Sequence, residues 1–279
     1  MENATKALLI AAGILIALII LSSLLLLFNM VSDFYQNSSN MTEEQQRLQF
    51  NKQFENYENK EIRGNELLSI MNKIDDYNSS ELEYGYSDMK FVVDFKSTEL
   101  FKQFNYESIN DSSIYLLSGS NTKITENKLK DFSNRVNDPS TGLISSLQSV
   151  SGAVKVTETL LQQLSSNIAN IMVEESNSGA TNDYDISNRN DARRKRAKLL
   201  ENIFNVNICG DDNVTYITSS EYVKMVETIK DVTLKYYEFT QFKRAHFLCT
   251  GLEYDSVTGR VNEMSFEVCT DDNGNVVIN

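Results

Sequence analysis

The feature that most constrains this chain is an uninterrupted apolar run near its amino terminus. Residues Ala7–Phe28 contain no charged residue, and serine is the only polar residue among them. As a helix that rises 1.5 Å per residue, such a run is long enough to cross the roughly 30 Å hydrocarbon core of a bilayer. We therefore predict a transmembrane anchor at residues 7–29, preceded by a cytoplasmic stub at residues 1–6.

The run is predicted to be retained rather than cleaved as a secretory signal. A signal peptide has an apolar stretch of about 7 to 15 residues, followed by a small-x-small cleavage site. The run here is longer, and residues 29–35 contain no Ala-x-Ala-like step. Lys6 precedes the run, whereas the first basic residue after it is Arg47. This asymmetry favours a cytoplasmic N-terminus and an extracellular remainder.

The polar remainder is strongly acidic, and its composition and motifs argue against several classes of function. Against 26 lysine and arginine residues the chain has 39 aspartate and glutamate residues, for a net charge of −13. That balance argues against nucleic acid as a partner.

No metal or cofactor is predicted, because the single histidine, His246, and the cysteines match no ligand spacing. Since the sequence also has no P-loop, Gly-x-Ser-x-Gly or His-Glu-x-x-His motif, we do not expect an enzyme.

The predicted fold class is α+β. An N-terminal transmembrane helix continues into a helical stalk at residues 30–60, and an α+β segment follows at residues 61–125. Within that segment we predict a helix at Glu66–Tyr77 and a strand at Lys90–Lys96, from the apolar spacing of the first and the β-branched content of the second. Residues 193–279 are predicted to form a mostly β head with a small antiparallel sheet.

Two motifs near the membrane carry a resemblance to a known group of proteins. The stalk contains Phe50-Asn51-x-x-Phe54-x-x-Tyr57, and the next helix contains Gly64-x-x-Leu67-Leu68-x-x-Met71-Asn72. Together they resemble the membrane-proximal segment of single-pass, pilin-like proteins of unknown function from low-GC Gram-positive bacteria. The resemblance implies a surface-anchored structural or assembly protein, whose anchor leads through a helix into a small strand-rich head.

The strongest periodicity lies between Ser140 and Glu175, in a helical insertion predicted at residues 126–175. Apolar residues recur there at alternating spacings of four and three, which predicts one amphipathic helix on the order of 50 Å long. The helix either packs within its own domain, with Glu126–Val136 as a neighbour, or pairs between chains as a coiled coil. The residues of this helix-association seam are Leu143, Leu147, Val150, Val154, Leu161, Leu164, Ile168 and Ile171.

A linker is predicted at residues 176–192, where the sequence is polar and lacks an apolar pattern. It leads into the only dense cluster of positive charge in the sequence. This cluster is typical of a contact with an anionic polymer or headgroup, of a protease site, or simply of a solvated face on a short helix ending at Phe204. The residues of this basic patch are Arg193, Arg194, Lys195, Arg196 and Lys198.

Within the head, short strands are predicted at Asn205–Cys209, Val214–Thr218 and Thr233–Phe239, with a helix from Ser220 to Ile229. Asn-Gly at positions 273–274 predicts a turn rather than a calcium loop, because Cys269 stands where an EF-type loop needs its first aspartate.

A β-hairpin completes the predicted head, with strands at Arg244–Tyr254 and Arg260–Thr270. Strand alternation places Cys249 on the apolar face of the first strand and Cys269 on the polar face of the second, so no disulfide is expected between them. Cys249 is interpreted as a small core residue. The offset of three residues between His246 and Cys249 also argues against a catalytic dyad.

These features predict a cell-membrane protein with one span and an extracellular C-terminal domain. Its expected role is structural, adhesive or in assembly, through contact with protein partners, which are either other proteins or further copies of itself. The alternative is a membrane-tethered binding or sensor module that dimerises through the helix at residues 140–175. No small-molecule ligand is identified by the sequence.

Overall fold

The computed structural model describes residues 22, 24–32, 43–81, 88–106, 121–149, 157–173, 191–206 and 219–278. The chain divides into two compact units. One comprises residues 1–56 with the turn at 255–261, and the other comprises residues 57–254 with 262–279.

Besides the turn at 255–261, the described residues of the first unit form an apolar helix and a stalk helix. Residues 24–32 are helical and correspond to the end of the predicted anchor, whose residues 7–21, 23 and most of the following connection lie outside the described residues. Within the described residues, no helix combines the length and the apolar character needed to cross a membrane. Residues 43–55 form a second helix, α1, which confirms a helix in the predicted stalk.

The second unit is built on a mixed sheet. Among the described residues five strands form it, in the order β1-β4-β5-β2-β3. They are β1 (Glu61–Arg63), β2 (Lys90–Asp94), β3 (Lys123–Thr125), β4 (His246–Tyr254) and β5 (Val261–Val268). β1 is antiparallel to β4 and β2 is antiparallel to β3, but β2 runs parallel to β5. The predicted antiparallel pairing holds for the β4–β5 hairpin of the head, but the sheet as a whole is mixed. The parallel pair needs a long crossover, which the helices between β2 and β5 supply.

The second unit also contains eight described helices. They are α2 (Gly64–Glu81), α3 (Glu99–Lys102), α4 (Glu126–Asn137), α5 (Leu143–Gln148), α6 (Glu158–Ser166), α7 (Ile168–Ile171), α8 (Asp191–Phe204) and α9 (Ser219–Arg244). Of these, α2 and α4 pack against the sheet. α2, α4 and β2 confirm the elements predicted at Glu66–Tyr77, Glu126–Val136 and Lys90–Lys96. α9 is the central helix, since α2, α4, α5, α6 and α7 all pack against it.

The single long helix predicted over residues 140–175 is wrong. The described parts of this segment form the separate helices α5, α6 and α7. Thr157 has extended backbone angles, φ −135° and ψ 165°, and its side chain caps α6 by accepting a hydrogen bond from the Leu160 amide. Asn167 separates α6 from α7, and its side-chain amide donates to the Gln163 carbonyl at 2.9 Å. Polar side chains that bond to nearby backbone thus interrupt a helix whose apolar spacing is continuous.

The mostly β head is also wrong, because α8 and α9 occupy much of it. Thr233–Phe239, predicted as a strand, lies inside α9. Its aromatic and β-branched content suits a strand, but the buried residues Ile229, Val232, Tyr236 and Phe239 follow helical spacing. Of the short strands predicted before α9, residues 207–218 lie outside the described residues. The described Asn205 and Val206 are not in a strand.

The hairpin is confirmed as β4 and β5. At its open end the Cys269 amide donates to the His246 carbonyl at 2.8 Å, and at its turn the Asp255 amide donates to the Arg260 carbonyl at 2.8 Å. Cys249 is fully buried, as predicted, and the thiols of Cys249 and Cys269 are both free. An antiparallel bridge between Thr270 and Val276 confirms the predicted terminal turn.

An aromatic cluster joins elements that are distant in sequence. The ring centroid of Phe242 in α9 lies 5.0 Å from that of Phe132 in α4, 5.2 Å from that of Phe247 in β4 and 6.0 Å from that of Phe104. Phe95, after β2, lies 6.0 Å from Phe247. These rings are almost completely buried, so the core of the second unit is formed where α9 meets the sheet.

Candidate functional site

A hydrogen-bonded contact in the first unit joins the stalk helix to the hairpin turn. The Asn51 side chain in α1 donates from Nδ2 to the Gly259 carbonyl at 2.9 Å and accepts at Oδ1 from the Val261 amide at 3.0 Å. Asn51 is only 5% exposed. We call these three residues the hairpin clamp. Because one amide side chain satisfies a backbone acceptor and a backbone donor together, it sets the position of the turn along α1.

Aromatic and cationic side chains extend the hairpin clamp. The Arg260 guanidinium lies 5.3 Å from the ring centroid of Phe50, and Phe50 packs edge-on against Phe54 at 5.2 Å. Gly259 has a φ of +64°, which favours glycine, and a Cβ there would meet the Arg47 side chain at 2.8 Å. The motif that carries the family resemblance, Phe50-Asn51-x-x-Phe54, therefore supplies the stalk side of this contact.

Removing the Asn51 side chain is expected to loosen the turn. In Asn51→Ala the buried Val261 amide and the partly buried Gly259 carbonyl lose their partner, so the free energy of unfolding should fall by about 1–3 kcal/mol. Urea denaturation measures the loss, and amide hydrogen exchange at Val261 localises it. Lys52→Ala, which truncates the adjacent exposed side chain, is the control. Unchanged protection of the Val261 amide in Asn51→Ala would contradict this account of the hairpin clamp.

A second candidate site, in the second unit, is a cleft of about 220 Å³ formed by α6, α7 and α8. Ile171 and Leu199 give it an apolar wall, and Arg196 also contributes to its lining. We call it the basic cleft, because its other lining side chains are amides and lysines: Gln163, Asn167, Asn170, Asn202, Lys195 and Lys198. No acidic side chain lines it in the part of the chain that the structure describes.

The basic patch predicted from sequence contains both exposed and buried residues in the structure. Lys195 and Lys198 are exposed, as a binding patch requires, but Arg196 is 0% exposed. The Arg196 guanidinium donates to the carbonyls of Ile171, at 3.0 Å, and Val173. Arg196 is therefore not part of a solvated surface. Its spacing from the buried Leu200 and Ile203 places it on the apolar side of α8. Of Arg193 and Arg194 the structure describes only the helical backbone.

The amides of the basic cleft were not predicted as site residues, although a signal for one of them exists. Lys195, Lys198 and Asn202 recur at spacings of three and four, so they share one side of α8. Gln163, Asn167 and Asn170 belong to the polar flank of the helix-association seam. Their meeting with α8 depends on how α7 packs against that helix, which no local pattern reveals.

The helix-association seam lies inside the chain. Leu143, Leu147, Leu161, Leu164, Ile168 and Ile171 are buried, and the helices that carry them, α5, α6 and α7, pack against α9. Val150 and Val154 lie outside the described residues. Of the two interpretations of the seam, packing within one domain is the one that the described residues show.

The residues with nucleophilic or metal-binding chemistry form no reactive constellation in the described chain. His246 pairs through Nδ1 with the Glu61 carboxylate. Burial raises the pKa of the Cys249 thiol, which keeps it protonated and weakly nucleophilic. No group of three or more histidine, cysteine or acidic side chains that could hold a metal ion occurs among the described residues.

The acidic turn near the carboxyl terminus binds its own backbone. The Asp271 carboxylate accepts hydrogen bonds from the Asn275 and Asn273 amides at 2.8 and 2.9 Å, and these bonds lower its pKa. Gly274 has a φ of +79°, as the predicted Asn-Gly turn requires. The Asp271 carboxylate thus closes a turn by bonding to backbone amides.

No family model, curated protein or solved structure matches this chain. Its function must therefore be inferred from the apolar helix at residues 24–32, the hairpin clamp and the basic cleft.

Proposed function

We propose that this chain is a single-pass membrane protein with its N-terminus in the cytoplasm and its folded units outside the cell. It acts there through contact with other proteins, as a structural, adhesive or assembly component of the pilin-like kind, and not as an enzyme. The observation that carries this proposal is the helix at residues 24–32. Its apolar side chains are between 49% and 71% exposed: Leu24, Leu25, Leu26, Leu27, Phe28, Met30 and Val31.

Such exposure needs an apolar environment. Contiguous exposed apolar surface is rare on water-soluble monomers and marks a protein or membrane contact. Here the exposed helix is the end of a run that is uncharged from Ala7 onward, and the run has the length of a bilayer span. A lipid environment for the whole run satisfies both observations.

The hairpin clamp supports a role that depends on position and contact. It holds the turn of the β4–β5 hairpin on α1, the helix that follows the proposed anchor. Val257, at the tip of that turn, is 91% exposed. A buried amide that fixes an exposed loop at one place on a stalk helix suits a protein that presents a surface for contact.

The alternative, a tethered binding module, is favoured by one observation: the basic cleft is lined by lysines and amides and is open to solvent. This module is not proposed to dimerise through residues 140–175, because the described seam residues are buried within the chain. The two proposals share the same anchor and topology.

Membrane fractionation of variants tests the anchor. Ile14→Arg/Leu18→Arg places two charges in the run, each unfavourable for insertion by about 3 kcal/mol. The unsubstituted chain should sediment with membranes and resist carbonate extraction, whereas the double variant should shift largely to the soluble or degraded fraction. Val257→Arg, at a position that is already exposed, is the control and should behave as the unsubstituted chain does.

Topology is tested separately with a Val257→Cys variant. An impermeant maleimide should label this cysteine in intact cells, because the hairpin tip is proposed to be extracellular and the position is exposed. The same variant with Cys269→Ser removes a partly exposed native thiol from the measurement. Recovery of the full-length chain from the cytosol, or labelling only after cell lysis, would reject the proposed location.

A further inference from the structure

We propose that the basic cleft is a binding site for a small hydroxylated phosphate of the glycerol phosphate class. The charge at its mouth points to an anion. Lys195 and Lys198 are exposed on one side of α8, whereas the buried Arg196 guanidinium is bound to backbone carbonyls and is not counted among these cations. The chain has a net charge of −13, but the described residues that line this cleft include lysines and no acid. The cleft therefore favours the binding of an anion.

Several side chains that line the basic cleft are held in place by hydrogen bonds. The buried Arg196 guanidinium is held by the Ile171 and Val173 carbonyls, which ties α8 to the end of α7. The Asn167 amide donates to the Gln163 carbonyl and accepts from the Asn170 amide at 3.5 Å. Side chains that are already oriented lose less conformational entropy when a ligand binds.

Most of the cleft surface is apolar, and the amides supply its hydrogen-bonding groups, which suits a ligand with a carbon chain that carries hydroxyls. Amide side chains both donate and accept, so the Asn and Gln side chains of the cleft complement hydroxyl groups, which also do both. Lysine ammonium groups complement phosphate oxygens, and a phosphate group carries about 1.5–2 negative charges at neutral pH. Neither feature alone requires a phosphorylated polyol, but together they match a phosphate beside hydroxyls.

The size of the cleft limits the ligand. A volume of about 220 Å³ is that of about seven water molecules, at about 30 Å³ each in the liquid. The atoms of glycerol phosphate are covalently bonded and lie closer together than water molecules, so a ligand of that size fits the cleft. The same group occurs free, in phosphodiester polymers and as a lipid headgroup, and the experiment below separates the free group from the membrane surface. The proposal does not depend on the proposed anchor or topology.

Binding is measured by calorimetry on the full chain in an uncharged detergent. The probes are glycerol phosphate, inorganic phosphate, glycerol, acetate and vesicles of phosphatidylglycerol. We expect saturable binding of glycerol phosphate, weaker binding of inorganic phosphate, and no competition by glycerol or acetate. In Lys195→Gln/Lys198→Gln the affinity for glycerol phosphate should fall by about tenfold or more, since two charge-assisted contacts are lost.

The matched control is Lys73→Gln/Lys123→Gln, which makes the same change in net charge at exposed lysines of α2 and β3. Its affinity should stay close to that of the unsubstituted chain. Asn202→Leu tests the amides, and it should lower affinity for glycerol phosphate more than for inorganic phosphate. Circular dichroism checks that each variant folds.

Several outcomes would overturn the proposal. They are no saturable binding of glycerol phosphate, equal loss of affinity in both lysine pairs, equal binding of acetate, and binding to vesicles without binding to free glycerol phosphate. Failure of these measurements would leave the fractionation results untouched, and soluble behaviour of the chain would leave the basic cleft untouched, so the two proposals fail separately.

Discussion

Gly64→Ala is expected to lower the free energy of unfolding by about 3 kcal/mol or more. Gly64 begins α2 directly after β1, where the backbone of α9 passes close by. A Cβ at this position would lie 1.9 Å from the Phe242 carbonyl oxygen and 2.8 Å from its carbonyl carbon. The Gly64 amide also donates to the Ala245 carbonyl at 2.8 Å. Since the obstructing atoms are backbone, the substitution must displace the end of α9 or the start of α2.

Urea denaturation followed by circular dichroism measures this loss, and thermal melting should show a fall of about 6–12 °C at 2–4 °C per kcal/mol. Gly251→Ala is the matched control, because a Cβ at Gly251 in β4 meets nothing within 4 Å. We expect that variant to stay within about 0.5 kcal/mol of the unsubstituted chain. Equal stability of the two variants would show that α2 and α9 approach less closely than described.

Elements with local signals were predicted correctly. α2 has apolar residues at helical spacing, with Leu67, Ile70, Met71 and Ile74 all buried. The β4–β5 hairpin alternates around a short turn, and its alternation also placed Cys249 in the core. In these segments neighbouring residues determine the outcome, so a single sequence is sufficient.

Elements that depend on distant partners were not predicted. β2 pairs in parallel with β5, but the sequence of each strand is compatible with either parallel or antiparallel pairing. Thr233–Phe239 has strand-like composition but lies in α9, because packing of one helical side against α5, α6 and α7 outweighs intrinsic preference. Such outcomes follow from tertiary contacts that one sequence does not display.

The same distinction applies to the candidate sites. Asn51 belongs to the stalk motif, yet its hydrogen-bond partner Gly259 is 208 positions away, so the hairpin clamp has no local signature. Arg196 was grouped with exposed cations by composition, although its helical spacing from Leu200 and Ile203 places it on the buried side of α8. On a helix, therefore, Arg196 lies on a different side from Lys195 and Lys198.

The helix-association seam gives the second large effect. Leu164 in α6 is 0% exposed, and α6 packs against α9. Leu164→Ala removes buried methyl groups and leaves a cavity, so we expect the free energy of unfolding to fall by about 2–5 kcal/mol. The expected mass of the chain, measured by light scattering in detergent, is unchanged, because this leucine packs within one chain.

A seam that paired chains would behave differently. Leu164→Ala would then shift the mass toward the monomer, and the loss of stability would shrink as the protein is diluted, since association contributes to stability only at concentrations near its dissociation constant. Ser166→Ala, two residues away on the exposed side of α6, should change neither quantity. A concentration-independent loss in Leu164→Ala alone therefore identifies α6 as a core helix of the second unit, and a change in mass identifies it as an interface.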